Sequence, residues 1–245
     1  MIGRVRTGVP GLDDMLSGGF IEGSAVLLIG SPGTGKTTLG MQYLYNGVVE
    51  HDEPGLLISF EEFPHALLRD AQSHGWDLRA LEDANKLRII YTSPQIFLSS
   101  LQSPDSSLNQ MILKWGVRRI VLDSVSHFGQ LTSDPTELRT IYGTLVNGFK
   151  REALTSILTC EASKSWLKAD RAKLAYLVDA VLLTRYVEVD SAMERAIVVL
   201  KMRASAHTQD IHRFEICPQG IVVREKFQGL QHLLTGMSQR TAPPR

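Results

Sequence analysis

The chain has 245 residues, of which 43% are hydrophobic and 21% are charged, a balance typical of a folded globular protein rather than a disordered chain. Lys and Arg together number 26, and so do Asp and Glu, so the formal net charge is zero. We therefore expect no general electrostatic attraction to nucleic acid or to anionic lipid, although a local basic patch would still supply one.

The sequence has no apolar run near the roughly 18 to 20 residues that a membrane-spanning helix needs. Residues 1–8 also lack the apolar core of a signal peptide, so we expect a cytoplasmic protein that does not enter a membrane. The two cysteines, Cys160 and Cys217, lie far apart and lack the spacing of a metal-binding pair. Two reduced thiols are expected, with neither a disulfide framework nor a zinc site.

Short apolar runs alternate with helical patterns up to residue 183. The runs predict buried strands at residues 25–29, 56–60, 88–91, 119–122, 156–160 and 180–183. Between them, helices are predicted at residues 36–50, 64–74, 105–115 and 135–152. Near-continuous apolar strands suit a sheet that is covered on both faces. The alternation therefore predicts an α/β fold with a mainly parallel, twisted sheet flanked by helices.

The pattern changes beyond residue 183. Residues 187–189, 196–202 and 211–216 predict successive strands, which we expect to form an antiparallel extension at one edge of the sheet. No linker divides the chain, so residues 1–235 are expected to form a single domain. The polar, Pro-rich residues 236–245 are expected to form a flexible C-terminal tail.

Residues 30–38 match the phosphate-binding pattern GxxxxGK[ST] in full, between a predicted strand and a predicted helix. Glycines in such a loop let the backbone turn tightly and present its N–H groups to phosphate oxygens, and the helix that follows adds the positive end of its dipole. Lys36 would contact the β- and γ-phosphates of a nucleotide, and the Thr37 hydroxyl would ligate Mg²⁺. The predicted nucleotide-binding residues are Ser31, Gly33, Thr34, Gly35, Lys36, Thr37 and Thr38.

Acidic residues follow two of the predicted strands. Asp123 comes after the strand at 119–122, where a carboxylate would face the phosphate loop and hold the Mg²⁺ shell, usually through water. Glu61 and Glu62 come after the strand at 56–60, and hydrolysis needs a carboxylate that polarises a water in line with the leaving group. Adjacent acids at a strand end point in opposite directions, so either one is a candidate catalytic residue.

Further segments resemble the KaiC family of RecA-like ATPases, relatives of the RadA and RecA recombinases. Residues 7–19 are similar to that family's lead-in to the phosphate loop, and residues 60–62 to its Phe-Glu-Glu step. Residues 201–207 resemble its KxRxSxH segment, and residues 229–236 resemble the end of a single-domain member. The motifs follow the family's order over nearly the whole chain, which implies a RecA-like P-loop core.

The resemblance implies a homohexameric ring with ATP bound between subunits. In that arrangement Lys36, Thr37 and Asp123 act on the nucleotide of their own subunit. Either Glu61 or Glu62 positions the attacking water, and Glu61 matches the position of the family's main catalytic acid.

The same resemblance assigns a role to cations near the end of the chain. Lys201 and Arg203 would bind and stabilise the γ-phosphate held by the neighbouring subunit, and His207 would assist at that interface. Residues two apart on a strand share a face, so the sequence also allows Lys201 and Arg203 to converge on one anion. They would then act like a trans arginine finger.

The sequence departs from the family pattern in three respects. Clock members carry two tandem ATPase domains, whereas this chain has room for one. Their second domain phosphorylates its own Ser-Thr pair, and an alignment on Asp179 places Ala175 and Tyr176 there, so we expect no autokinase activity at this site. Cys217-Pro218 stands where the family tends to place a Ser/Thr-Asp pair near the nucleotide, so the family's base selectivity is not assumed for this chain.

The leading hypothesis is a Mg²⁺-dependent ATPase of slow turnover that assembles into a ring and signals its nucleotide state to a regulatory protein partner. A RadA/RecA-like DNA-binding ATPase is the first alternative, but Arg4, Arg6 and Arg118-Arg119 are too few for a phosphate-tracking surface, so DNA is not an expected partner. A nucleotide sensor without hydrolysis is disfavoured by the two candidate acids. A serine/threonine kinase acting on another protein is the remaining alternative.

Overall fold

The computed structural model describes residues 3–162, 174–231, 233–235 and 239–240. In chain order the elements are β1 (Arg4–Val5), α1 (Leu12–Met15), β2 (Phe20–Ile21), β3 (Ala25–Gly30), α2 (Lys36–His51), β4 (Gly55–Ser59), α3 (Pro64–Ser73), α4 (Leu78–Asp83), β5 (Leu87–Tyr91), α5 (Pro94–Gln102), α6 (Ser107–Trp115), β6 (Arg119–Asp123), a 3-10 helix (Val125–Gln130), α7 (Pro135–Arg151), β7 (Thr155–Glu161), β8 (Ala180–Val189), β9 (Ala192–Met202), β10 (His212–Cys217), β11 (Gly220–Lys226), β12 (Leu230–Gln231), a 3-10 turn (Leu233–Thr235) and β13 (Gln239–Arg240).

Within the described residues, nine strands form one sheet in the order β11-β10-β9-β8-β3-β7-β6-β4-β5. The strands from β8 to β5 in that order run parallel to one another. Strands β9, β10 and β11 continue the sheet with antiparallel pairing. The predicted architecture, a mainly parallel sheet with antiparallel strands at its C-terminal edge, is confirmed.

Alternate residues of β3 enter two separate cores, one on each face of the sheet. Val26 and Leu28 pack in the core that α2, α3 and α4 cover. Leu27 and Ile29 pack in the core that α5, α6 and α7 cover. A parallel strand buried on both faces reads as an uninterrupted apolar run, which is why the sequence identifies these strands so directly. Among the described residues, no helix is both long and apolar enough to cross a lipid bilayer.

Several elements differ from the apolar pattern. Residues 180–183 and 187–189, expected as two strands, form the single strand β8, because Thr184 between them is buried and its hydroxyl donates to the Ile29 carbonyl at 3.3 Å. The elements that the sequence did not predict are helices α1, α4 and α5, the two 3-10 segments, and strands β1, β2, β11, β12 and β13. Residues 236–238 and 241–245 of the expected tail lie outside the described residues, whereas β13 pairs with β12.

Two glycines let α2 lie close against β6. A Cβ at Gly40 would come within 2.8 Å of Val121 Cγ1, and one at Gly47 within 2.4 Å of Arg119 Cδ. Arg119 is buried under the helix, where its guanidinium pairs with the Glu53 carboxylate at 2.6 Å. Because Arg119 is buried and paired with a partly buried carboxylate, its contact with Gly47 holds the C-terminal half of α2 against β6.

We expect Gly47→Ala to lower the free energy of unfolding by about 1–3 kcal/mol, because the added methyl group overlaps Arg119. Gly143→Ala is the matched control, since Gly143 lies in α7 and a Cβ there meets no atom within 4 Å. The better helix former should raise the free energy of unfolding by about 0.5–1 kcal/mol at that position. Urea unfolding measures both values, and equal effects would contradict the close approach of α2 to β6.

Candidate functional site

The phosphate loop follows β3 at the carboxyl edge of the parallel strands and ends where α2 begins. Gly33 and Gly35 have φ angles of +76° and +87°, at which an L side chain would be strained. Gly30 is required by packing instead, because a Cβ there would lie 2.1 Å from Thr184 Oγ1. The loop therefore needs glycine for two different reasons, backbone conformation and close approach to β8.

The side chains of Thr34 and Lys36 in the loop have different surroundings: Thr34 faces the sheet, and Lys36 faces a cavity. The Thr34 hydroxyl is buried, donates to the Ser31 carbonyl at 2.8 Å and lies 2.9 Å from Thr184 Oγ1. The Lys36 ammonium donates to the same Ser31 carbonyl at 3.2 Å and lies in the wall of a cavity. Thr34 can therefore offer a ligand only its backbone, whereas Lys36 can offer its charge.

Hydrogen bonds to Asp123 join α2 to two strands of the sheet. The Thr37 hydroxyl donates to Asp123 Oδ2 at 2.7 Å, and the Thr159 hydroxyl of β7 donates to the other carboxylate oxygen. Asp123 is the last residue of β6 and lies level with Ser59 at the end of β4. The two residues expected to hold Mg²⁺ thus present a hydroxyl and a carboxylate oxygen side by side.

These two oxygens fit a magnesium ion that arrives with a nucleotide. Mg²⁺ keeps several waters and is usually bound through one or two protein oxygens together with substrate phosphates. In the described part of the chain, no group of three or more His, Cys, Asp or Glu side chains is arranged to hold a metal ion without such a ligand. The Thr37 hydroxyl and the Asp123 carboxylate therefore suit a cation that is shared with phosphate.

Two cavities flank the start of α2. The first, about 230 Å³, is lined by Pro32, Gly33, Lys36, Thr37, Ser59, Glu61, Glu62, Asp123, Ser124 and Glu161. The second, about 280 Å³, is lined by Gly33, Gly35, Lys36, Thr37, Thr38, Met41, Glu62, Asp70, His74 and Ile216. The structure thus gathers Gly33, Gly35, Lys36, Thr37, Thr38 and Asp123 around the N-terminus of α2.

The first cavity is acidic despite its phosphate loop. Its wall carries the carboxylates of Glu61, Glu62, Asp123 and Glu161 against the single ammonium of Lys36. Burial lowers the pKa of Lys36 below that of an exposed lysine, while Asp123, Glu161 and Glu61 oppose the shift. Burial, then Asp123, raises the pKa of Glu62. A bare polyphosphate would be repelled here, so the charges favour a phosphate accompanied by a divalent cation.

The two candidate catalytic acids have different surroundings. The carboxylate of Glu61, 71% exposed, lies 3.4 Å from His127 Nε2. Glu62 has its backbone N–H and carbonyl bonded to the Ser59 hydroxyl at 3.0 and 2.8 Å, and it lines both cavities. The His127 imidazole can therefore orient the Glu61 carboxylate at the first cavity.

Lys201, Arg203 and His207 lie away from this cavity. The Lys201 ammonium donates to the carbonyls of Ala175 and Val178, both at 2.7 Å. Strand β9 ends at Met202, so Arg203 lies in the following turn instead of on the strand, and its guanidinium donates to the Tyr176 carbonyl at 2.5 Å. The side chains of Lys201 and Arg203 do converge, but on the backbone carbonyls of residues 175–178 and not on a phosphate site.

His207 follows in the same turn region. Its Nδ1 is buried and has no hydrogen-bond partner among the described residues. His207 lines neither of the two cavities beside the phosphate loop.

The distance between the phosphate loop and the turn that carries Arg203 follows from the strand pairing. Arg203 N donates to the Asp179 carbonyl and Asp179 N to the Ala25 carbonyl, both at 2.8 Å, so this turn lies level with the start of β3. The phosphate loop begins after Gly30, five residues further along β3, which is about 16 Å at 3.3 Å per residue. Within one chain, Arg203 therefore does not reach a phosphate bound at the loop, and the Lys201 ammonium is bonded to the Ala175 and Val178 carbonyls instead.

Sequence reasoning missed residues that only the sheet brings to the site. Glu161 ends β7 level with Gly30, and Ser59 ends β4 level with Asp123. For Glu161 the signal was present, because it follows an apolar strand just as Asp123 does. The carbonyl of Cys217 lies 3.0 Å from His74 Nδ1, next to the second cavity. The unusual Cys217-Pro218 step is thus close to the phosphate loop of its own chain.

Together the parallel sheet, the glycine loop and the acids at the strand ends define a RecA-like protein of the P-loop nucleotide-binding class. The family model for the KaiC ATPase matches residues 5–228. The chain belongs to the KaiC ATPase family, and the resemblance noted in its motifs is confirmed.

Individual relatives agree with this assignment. The chain is 33% identical over 227 residues to the circadian clock oscillator protein KaiC of Synechococcus elongatus. The aligned region covers 90% of this chain but only 44% of that protein, so this chain spans less than half the length of that relative. It is 32% identical over 235 residues to a UPF0273 protein of Methanocaldococcus jannaschii, covering 90% and 96% of the two chains. A KaiC-like protein of Pyrococcus horikoshii superposes with a TM-score of 0.82 at 30% identity, over 92% of this chain and all of the other.

The lowered pKa of Lys36 predicts an alkaline loss of nucleotide affinity. Because burial lowers the pKa of Lys36 below the ordinary value of 10.5, phosphate affinity should already fall as the pH is raised toward that value. Lys36→Arg, which keeps its charge throughout, should bind more weakly but with little change over this range. Titration with a fluorescent ADP analogue and Mg²⁺ measures both profiles. If nucleotide affinity depended on pH in the same way in the unmodified protein and in Lys36→Arg, the assignment of Lys36 to phosphate binding would be contradicted.

Proposed function

We propose that this protein binds MgATP and hydrolyses it slowly, at sites that are completed between neighbouring copies in a homohexameric ring. The observation that carries the proposal is the separation of about 16 Å, along β3, between the phosphate loop and the turn that holds Arg203. The phosphate loop and Arg203 would both be needed at one γ-phosphate, yet they lie at opposite ends of β3. Only a second copy of the chain can therefore bring an Arg203 to the phosphate loop. Membership in an ATPase family supports the choice of reaction.

The chemistry assigned to each residue follows from its position. Backbone amides of the loop and the Lys36 ammonium bind the phosphates. Mg²⁺, held by the Thr37 hydroxyl and by Asp123, would neutralise charge on the phosphates. Glu61, oriented by His127, accepts a proton from the attacking water and aligns it with the γ-phosphate.

The neighbouring copy supplies the remaining cations. Its Lys201 and Arg203 stabilise the charge that develops as the phosphoryl group leaves, and its His207, with a buried and unpartnered Nδ1 among the described residues, lies in the same turn region. Because these groups are in place only in the assembled ring, turnover should be slow. Nucleotide bound between subunits stabilises the ring by mass action, so the nucleotide state can be passed to a protein partner as a change in assembly.

The structure gives the DNA-binding alternative no support. Arg119 is buried in an ion pair with Glu53, and Arg118 pairs with the Glu22 carboxylate. Arg4 donates to backbone carbonyls at 2.8 and 2.9 Å. The arginines that would have formed a phosphate-tracking surface are thus engaged within the chain. Ala175 has no hydroxyl group that could accept phosphate, so we propose that no autophosphorylation occurs at that position.

We expect Glu61→Gln to lower kcat by at least about 100-fold while leaving the affinity for MgATP nearly unchanged, because the amide cannot accept a proton from water. Glu62→Gln is the matched control and should lower kcat much less. Initial rates of phosphate release and direct nucleotide binding measure the two effects. A larger loss of kcat in the Glu62 variant would reverse the assignment of the two acids.

Mixing two inactive variants tests the contribution of the second copy. Lys36→Ala lacks the phosphate-binding cation and Arg203→Ala lacks the trans cation, so each alone should be inactive. In randomly mixed rings about one quarter of the interfaces pair an intact loop with an intact turn, and turnover should recover to about that fraction of the unmodified protein. Absence of recovery in rings shown by mass spectrometry to be mixed would contradict the proposal.

A further inference from the structure

A pair of side chains outside the phosphate and metal positions holds the tip of the phosphate loop. Tyr186 on β8 and Arg195 on β9 are direct cross-strand partners. The Tyr186 hydroxyl donates to the Gly33 carbonyl at 2.7 Å, and Arg195 Nε donates to the same oxygen at 3.4 Å. Both acceptor positions of this carbonyl are therefore occupied by groups from the hairpin.

The two side chains also hold each other in place. Arg195 Nη2 donates to the Tyr186 hydroxyl at 3.2 Å, and its guanidinium lies 5.2 Å from the centre of the Tyr186 ring. With its hydroxyl accepting from a cation, Tyr186 is a stronger donor to Gly33. The arrangement is a small network in which each member fixes the geometry of the next.

The physical reason for such a contact lies in the freedom of Gly33. Gly33 has a φ angle of +76° and lies in the wall of both cavities. A glycine peptide can rotate more readily than any other, and rotation of its carbonyl into a cavity would turn a negative oxygen toward a bound phosphate. A carbonyl held outward by two donors leaves the cavity side of the loop to N–H groups.

We propose that Tyr186 and Arg195 are positioning residues for nucleotide binding: they hold the Gly33 carbonyl away from the phosphates and so keep the loop in its binding conformation before the ligand arrives. The inference rests on the proposed nucleotide binding but names a residue pair that the binding motif does not contain. If only a fraction of molecules has a competent loop, the apparent Kd rises by the inverse of that fraction. The pair should therefore control affinity rather than the chemical step.

Tyr186→Phe removes only the hydroxyl and tests this directly. We expect the Kd for a fluorescent ADP analogue with Mg²⁺ to rise about threefold to tenfold, and the KM for ATP to rise with it, while kcat stays within about twofold. Tyr91→Phe removes the hydroxyl of another partly exposed tyrosine, one whose ring packs at a tilt against Phe63, and should change neither value. Arg195→Lys, which keeps the charge without the two-pronged donor, should fall between the unmodified protein and Arg195→Ala.

A second readout needs no nucleotide. Hydrogen exchange of the amides at residues 33–36 should be faster in Tyr186→Phe than in the unmodified protein, with exchange elsewhere in the sheet unchanged. Tyr186→Phe could leave both the exchange rates and the Kd unchanged while Lys36→Ala abolishes nucleotide binding. That result would overturn the positioning role of Tyr186 and leave the proposed function intact. Failure of the unmodified protein to bind nucleotide would remove the proposed function, and the exchange rates would still decide whether the pair fixes the loop.

Discussion

The direction of the strands is the constraint on which the rest of the structure depends. Parallel strands bring the phosphate loop, Glu61 and Asp123 to one edge of the sheet, where their polar groups meet. The antiparallel strand β9 reverses direction and carries Lys201 back toward the other edge. A chain folded in this way separates the two halves of its proposed catalytic site, and only a head-to-tail arrangement of copies can join them.

The site edge is held together by contacts that cross between elements. The Thr37–Asp123–Thr159 hydrogen bonds connect α2 with β6 and β7, and the close packing at Gly47 holds α2 against β6. These contacts keep a lysine and several carboxylates at fixed positions in a small cavity. The excess of carboxylates explains why a nucleotide would need its magnesium ion as much as it needs the phosphate loop. The hairpin of β8 and β9 links this loop to the turn that carries Arg203.

The sequence predicts best what depends on neighbouring residues. The phosphate loop is a contiguous motif, and strands buried on both faces are apolar throughout, so both can be read directly from the chain. Thr184 and Tyr186 were not identified because their roles come from contacts with a loop about 150 residues earlier, which no local pattern records. The predicted strand at 196–202 ends where β9 ends, at Met202, so Arg203 lies in the turn beyond it and does not share a strand face with Lys201.

We propose that catalysis requires a site shared by two copies. Light scattering of the intact protein over a dilution series with ATP and Mg²⁺, with turnover measured in the same samples, decides the matter. Turnover per chain should fall in step with the loss of the assembled species and reach its lowest value when only single chains remain. A sample saturated with nucleotide that has the mass of one chain, yet hydrolyses ATP at the undiluted rate, would contradict this proposal.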